Sequence, residues 1–152
     1  MKVLAFALIG ISSMASAADV VSIPRVTPYA DGVGTDEVRT KCDWNAKLSE
    51  EIAHYAETPV SITDKDTSQL SGKVLFMRIV NVHAIGGGGF TGPKWAAIHG
   101  ELRDNGKLVG SFDAHQNSSV GLTTCGALDH LAKELGDDIA DWLKDPIMNA
   151  KP

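Results

Sequence analysis

Three histidines stand on three successive strand-like segments, at His83, His99 and His115. Imidazole is a common metal ligand and the side chain best suited to proton transfer near neutral pH. The hairpin register predicted below puts His99 and His115 on opposite faces of a sheet, so the three rings cannot meet at one ion. His83 with His99 remains as a two-ligand alternative. We therefore predict no metal site and no cofactor.

Catalysis by a nucleophile or by a pair of carboxylates would need other sets of residues, and the sequence contains two candidate sets with little support. Ser111, Asp113 and His115 alternate along one strand, but residues i and i+2 are roughly 6 to 7 Å apart, too far for a direct proton relay. Glu101 and Asp113 fall on opposite faces in the predicted register, which excludes a glycosidase pair. We predict no catalytic residue. The alternative is a small hydrolase or metal-dependent enzyme that uses the strand histidines.

A run of four glycines separates two strand-like segments in the stretch NVHAIGGGGFTGPKW at 81–95. Gly87, Gly89 and Gly92 match G-x-G-x-x-G, but a dinucleotide loop leads into a helix, and here a strand pattern follows Pro93. Three interpretations stay open: a flexible hairpin loop, a turn that needs glycine, or a contact with a ligand or partner. The residues that we predict to bind are Gly86, Gly87, Gly88, Gly89, Phe90, Lys94 and Trp95.

The chain has two cysteines, Cys42 and Cys125. No C-x-x-C motif is present, so a redox pair is not indicated. In an oxidising compartment an even number of cysteines favours a disulfide. That bond would close a loop of about 80 residues and contribute on the order of 4 kcal/mol.

Hydrophobic periodicity indicates the elements that position these residues. The predicted elements are helix 36–57, strands 73–85, 94–103 and 107–116, and helix 125–144. The apolar piece within 18–34 predicts an edge strand or an ordered arm, because Pro24 and Pro28 disfavour a central position. This order predicts an α+β fold: a three-stranded antiparallel meander, extended or not by a fourth N-terminal edge strand, with two helices packed on one face. Alternating directions then put both helix starts, both cysteines and the glycine run at one end of the sheet.

The dipeptide Asn105-Gly106 is the strongest short hairpin signal in the chain. A two-residue turn at this point pairs Leu102 with Val109, and it pairs His99 with Phe112. The strand 73–85 is apolar on both faces over much of its length, which predicts a central, covered strand.

The first 17 residues have the pattern of a secretory signal peptide. Lys2 precedes an apolar run of about nine residues, and Ala15-Ser16-Ala17 forms an A-x-A cleavage site. The apolar run is far shorter than the roughly 20 residues that span a bilayer. We predict a signal peptide at 1–17, a single domain at 18–152, no membrane span, and a periplasmic or secreted location.

The charge balance is acidic, with a formal net charge of −5. Removal of Lys2 with the signal peptide leaves 13 basic against 19 acidic residues, a net charge near −6. An acidic chain without a basic cluster is a poor match for nucleic acid.

Three stretches together, GGGGFTGPK, GELRDNGKLVGSFDAHQNSS and TTCGALDHLAKELGDDIADWL, resemble a group of small exported bacterial proteins without an assigned function. The similarity covers residues 38–145, and KCDWNAKL resembles the group's first cysteine segment. The fold also resembles envelope lipoprotein domains with helices on a small sheet. The group has basic residues after S-F-x-A, whereas this chain has His115 and Gln116, which weakens a shared anionic ligand. The resemblance transfers no catalytic residue.

We therefore predict an exported, disulfide-bonded, non-catalytic binding or envelope-accessory domain. Its partner would be an envelope protein or a small ligand that the sequence does not identify. A homodimer built through the sheet is a further option, because the central strand is apolar on both sides.

Overall fold

The computed structural model describes residues 19–84 and 92–152. In chain order the elements are β1 (Val21–Pro24), α1 (Asp36–Lys41), α2 (Trp44–Tyr55), β2 (Val60–Thr63), a 3-10 helix (Thr67–Gln69), β3 (Lys73–His83), β4 (Lys94–Asp104), β5 (Lys107–Ser118) and α3 (Thr124–Trp142). The predicted α+β class with its antiparallel β3-β4-β5 meander is confirmed. The predicted signal peptide at 1–17 lies outside the described residues, and the single domain at 18–152 stays a prediction. No helix in the described part of the chain is both long enough and apolar enough to cross a membrane.

The sheet has five strands in the order β2-β1-β3-β4-β5. The predicted N-terminal strand exists, but it lies inside the sheet rather than at the edge. Pro24 is tolerated there because it is the last residue of β1, and only Val21 and Ser22 pair with β3. The edge is formed instead by β2, which pairs in parallel with β1 and which we did not predict.

The predicted helix 36–57 is two helices. α1 ends at Lys41, and the backbone of Cys42 is extended, with φ −112° and ψ 134°. α2 begins at Trp44. Val38 and Cys42 are buried four residues apart, and so are Trp44 and Leu48. Both sides of the break therefore have a helical spacing of apolar residues, which hides the break from the sequence.

The predicted hairpin turn is confirmed, but the predicted register is wrong by one residue. Asn105 and Gly106 both have positive φ, of 48° and 84°, and Asp104 pairs with Lys107 across the turn. The ladder then shifts between Leu102 and Arg103, because Val109 has no partner on β4. A bulge of one residue exchanges the faces of all the side chains that follow it.

The shift changes which side chains meet. His99 lies opposite Asp113, not Phe112, and Leu102 lies opposite Gly110, not Val109. Phe112 consequently points into the core, where it is 1% exposed. Burial of that ring stabilises the shifted register over the unbulged one.

Helices α2 and α3 pack on one face of the sheet, and their predicted apolar stripes form the core. The completely buried stripe residues are Trp44, Leu48, Ile52, Leu128, Leu131, Leu135 and Ile139. The strands contribute alternate residues to the same core, among them Leu75, Ile79, Ile98 and Phe112. The second face of β3 carries half-buried Phe76 and exposed Arg78, so β3 is not covered on both sides as we expected. We call this second side the open face of the sheet.

The outer edge of β5 is covered by the C-terminal segment. The Ser111 amide donates to the Ile147 carbonyl at 3.1 Å, and the Asp113 amide donates to the Ala150 carbonyl at 3.0 Å. The Ala150 amide donates back to the Ser111 carbonyl at 2.9 Å. This segment therefore satisfies backbone groups that an edge strand would otherwise expose.

Candidate functional site

The candidate site is the end of the sheet at which β3 finishes and β4 begins. We call this end the rim, and its described part comprises residue 84, residues 92–95, the loop 119–123, and the starts of α1 and α3. Lys94 pairs with Ser118, so the loop 119–123 leaves the sheet beside the start of β4. Gly34, which precedes α1, packs against Val82 of β3. Both helix starts therefore lie at this end, as the alternating topology predicts.

Five of the predicted binding residues lie outside the described residues: Gly86, Gly87, Gly88, Gly89 and Phe90. Their role stays a prediction. The two others, Lys94 and Trp95, are described and point to opposite faces of β4, as neighbours on a strand must.

Lys94 points to the core side and Trp95 to the open face. Lys94 is 4% exposed, and its Nζ donates to the Gly92 carbonyl at 3.3 Å. The Trp95 indole stacks on the His83 imidazole, with ring centroids 3.8 Å apart and an angle of 9° between the planes. Trp95 is half-buried, so of these two residues it offers more surface to a partner.

The loop 119–123 adds two exposed apolar residues that we did not predict. Leu122 is 89% exposed and Val120 is 61% exposed. The Val120 amide donates to Ser118 Oγ at 3.0 Å, which holds the loop close to the end of β5. Two separate apolar residues in a Ser-, Gly- and Thr-rich stretch have no periodic pattern, so the sequence gives no signal for them.

Gly121 fixes the tip of this loop against α3. Its φ is +120°, and a Cβ at this position would lie 2.6 Å from the backbone nitrogen of Ala127. Only glycine allows this close approach. The loop thus presents Val120 and Leu122 from a constrained backbone, which lowers the entropy cost of a contact.

The predicted Cys42–Cys125 disulfide is confirmed, with a Cα–Cα distance of 5.1 Å. It joins the end of α1 to the first turn of α3. The first turn of α3 is capped by Thr123, whose Oγ1 accepts from the Gly126 amide at 3.0 Å. The covalent bond therefore holds the loop 119–123 against the rest of the rim.

The strand histidines form no metal centre with the carboxylates that surround them. His99 Nδ1 is 2.8 Å from Asp113 Oδ1, and His99 Nε2 is 3.8 Å from Glu101 Oε1. The two carboxylates thus contact different ring nitrogens, whereas a metal binds one of them. Across 19–84 and 92–152, no three His, Cys, Asp or Glu side chains are grouped to hold a metal ion.

The predicted hairpin register, which is wrong by one residue, had put Asp113 on the face opposite to His99 and Glu101. Glu101, His99, Asp113 and His115 share the open face, contrary to the predictions that the two carboxylates, and likewise His99 and His115, lie on opposite faces. The His99 hydrogen bond, followed by the Lys151 ammonium, lowers the pKa of Asp113. The Arg103 guanidinium lowers the pKa of Glu101. Both carboxylates are therefore stabilised as acceptors, which opposes a role as a general acid.

His83 and His99 do not form the two-histidine site that the sequence left open. His83 lies opposite Trp95, which is four residues from His99 on β4, a separation of roughly 13 Å along a strand. Ser111 is 6% exposed, and its Oγ accepts from the Asn149 amide at 2.9 Å. The arrangement of these side chains gives no activated nucleophile.

The comparisons with known proteins show a likeness of fold. The sequence matches no protein-family model and no curated protein. A solved structure of the PelC dodecamer from Paraburkholderia phytofirmans is 20% identical and has a TM-score of 0.50, over 85% of this chain and 92% of that chain. A PelC variant dodecamer from the same organism is 16% identical, with a TM-score of 0.51 over 80% and 86% of the two chains. The hypothetical protein CT253 from Chlamydia trachomatis is 15% identical, with a TM-score of 0.53 over 84% and 96%. At these identities the chain shares an α+β architecture with small bacterial proteins.

Proposed function

We propose that this chain is an exported, non-catalytic binding module that contacts an envelope protein through the rim. The observation that carries the proposal is the exposure of Leu122 and Val120 on a constrained loop. Exposed aliphatic side chains lose unfavourable hydration when a partner covers them. Ser118 pairs with Lys94, so this loop leaves the sheet beside one of the predicted binding residues.

The aromatic pair at the rim supports the same surface. Trp95 and His83 stack on the open face, where β3 ends and β4 begins. Tryptophan is enriched among the residues that dominate binding energy at protein interfaces. The proposed surface therefore has an aromatic part and an aliphatic part, and the contact through the glycine run stays a prediction.

The extracytoplasmic location is supported by the disulfide. Cys42 and Cys125 are paired, and structural disulfides persist in oxidising compartments such as the periplasm. The predicted signal peptide at 1–17 agrees with that location. Periplasmic retention and secretion are both consistent with it.

A second copy of the chain is the alternative partner. The PelC structures that this chain resembles in fold are dodecamers. Identification of the captured protein separates a self-association surface from a surface for another envelope protein. An enzymatic role gains no support from the histidine and serine contacts described above.

The proposal is tested by chemical crosslinking in cells, followed by purification under denaturing conditions through an affinity tag. The double substitution Val120→Asp and Leu122→Asp replaces the aliphatic pair by charges on exposed positions, where the fold tolerates them. Ile147→Asp is the matched control, because Ile147 is also a large exposed apolar residue, at 57%, but follows the far end of α3. We expect the wild type and the control to retain one specific partner that the double variant loses. Equal capture by all three chains would refute the proposal.

A further inference from the structure

A groove of about 760 Å³ lies on the open face of the sheet, away from the rim. Its floor is formed by Phe76 and Arg78 of β3, and one wall is formed by side chains of β4. The other wall consists of the segments that follow β1 and β2, which carry Arg25 and Lys65. The volume lies within the range of small-molecule sites. We call it the open-face groove.

The groove is positive in a protein that is otherwise acidic. Four of its lining residues are cationic, Arg25, Lys65, Arg78 and Arg103, against three carboxylates, Asp64, Asp66 and Glu101. The whole chain has a formal net charge of −5. The groove thus has a formal excess of one positive charge, and an anionic ligand is attracted to those of its cations that no carboxylate pairs with.

All three carboxylates of the groove already have partners within the protein. Asp64 Oδ1 accepts from Arg25 at 2.6 Å, and Glu101 Oε2 accepts from Arg103 Nη2 at 2.6 Å. Asp66 Oδ1 accepts from the amide of Ser68 at 2.9 Å. Asp64 and Glu101 are thus paired with arginines of the groove, whereas Asp66 is held by the uncharged Ser68 and keeps its negative charge.

Two cations remain without such partners. Within residues 19–84 and 92–152, the side chains of Arg78 and Lys65 make no hydrogen bond or ion pair, and both residues are exposed. Arg78 of β3 lies opposite His99 of β4. The Nδ1 atom of His99 is hydrogen-bonded to Asp113 of β5, which lies on the side of β4 away from β3. The Arg78 guanidinium therefore keeps its five donors for a ligand.

The floor adds an apolar and aromatic surface next to these cations. Phe76 is half-buried, and the Arg103 guanidinium lies over its ring at 5.2 Å from the centroid. Pro24 and Pro28 line the same groove. A ligand that fits both features carries an anionic group and an apolar or planar part.

We propose that the open-face groove binds a small organic oxyanion, a carboxylate or a phosphate, whose charged group pairs with Arg78 and Lys65 and whose apolar part rests on Phe76. A guanidinium binds either oxyanion through two parallel hydrogen bonds. This site is separate from the rim, so the two proposals stand or fall independently.

The test is a titration of the isotopically labelled full mature chain, followed by amide NMR. The probes are benzoate and phenyl phosphate, with benzamide as the uncharged analogue of benzoate. We expect saturable shifts centred on Phe76 and Arg78 with at least one anion, affinity that falls with added salt, and much weaker shifts with benzamide. Comparison of the two anions distinguishes a carboxylate ligand from a phosphate ligand.

Substitutions distinguish binding at defined residues of the groove from nonspecific electrostatic attraction of the anion to the protein. Arg78→Gln should weaken binding at least about tenfold, since the charge and the paired hydrogen bonds of the guanidinium are lost. Lys65→Gln should weaken it to a smaller degree, because a lysine contributes a single point charge. Lys107→Gln, at an exposed position of the hairpin outside the groove, is the control and should leave the affinity unchanged. Equal binding of benzamide, equal binding by Arg78→Gln, or no saturable shift with either anion would overturn the proposal.

Discussion

Gly136 of α3 lies directly against Glu51 of α2. A Cβ at Gly136 would lie 2.5 Å from the Cβ of Glu51 and 3.1 Å from its carbonyl carbon. The two helices thus approach each other closely at a point where α3 has no side chain. This contact explains a glycine in the middle of a 19-residue helix, at which the sequence alone indicates only a loss of helix propensity.

Gly136→Ala should consequently destabilise the protein, although alanine is the better helix former by about 1 kcal/mol. The added methyl group must push the helices apart, and such overpacking costs about 1 to 3 kcal/mol. Urea unfolding measures the change, and Asp137→Ala at the next, exposed position serves as the control. A variant as stable as the wild type would show that the helix pair relaxes without cost.

Removal of the Cys42–Cys125 bond should lower the free energy of unfolding by about 4 kcal/mol, because 83 positions separate the two cysteines. The double substitution of both cysteines by serine and chemical reduction of the wild type should give the same loss. Reductant should have no effect on the double variant. If reduced and oxidised wild type unfold at the same urea concentration, the bond does not constrain the chain.

The Asp113 carboxylate should make stability depend on pH at the acid end. His99 and Lys151 lower its pKa in the folded state, so the folded chain holds the ionised form more tightly than the unfolded chain does. The resulting stabilisation is complete above the unfolded pKa of about 3.9, and it is lost as the pH falls through the lowered folded value. Asp113→Asn should therefore be less stable than the wild type above about pH 4, with a difference that shrinks below it. A difference that is independent of pH would contradict this assignment.

The C-terminal segment should protect the edge of β5. Removal of residues 147–152 frees the Ser111 and Asp113 amides, whose acceptors are Ile147 and Ala150. We expect lower stability and concentration-dependent association, since an exposed strand edge is a template for pairing. Light scattering at several concentrations provides the measurement, and removal of Lys151 and Pro152 alone is the control. A truncated chain that stays monomeric at all concentrations would show that the edge needs no cover.

Local signals made part of the fold predictable. The Asn105-Gly106 turn needs positive φ at two positions, which few residues other than asparagine and glycine adopt, so its place could be inferred. The stripes of α2 and α3 were equally clear, because burial of one face imposes a helical period on the sequence. The cysteine pair followed from the predicted compartment and the even number of cysteines, and the alternating topology agreed with it.

Features that depend on distant contacts could not be predicted. The bulge at Val109 depends on the packing of Trp142 against the next residue, Gly110. A Cβ at Gly110 would lie 2.8 Å from the Trp142 ring. That contact joins β5 to the end of α3, and no local pattern reports it. The four residues of β2 are too few to show a period, and their pairing with β1 spans the whole α1–α2 segment. The displaced register in turn brought His99, Glu101 and Asp113 onto one face, against the prediction.

The rim is tested most directly by a photo-crosslinking amino acid placed at position 122 in the native host, with position 147 as the matched site. Both positions hold large exposed apolar residues, but only Leu122 belongs to the rim. We predict that illumination yields a specific adduct with another envelope protein from position 122 and none from position 147. Adducts of equal yield and identity from both positions, or no adduct from position 122, would contradict the rim as the binding surface.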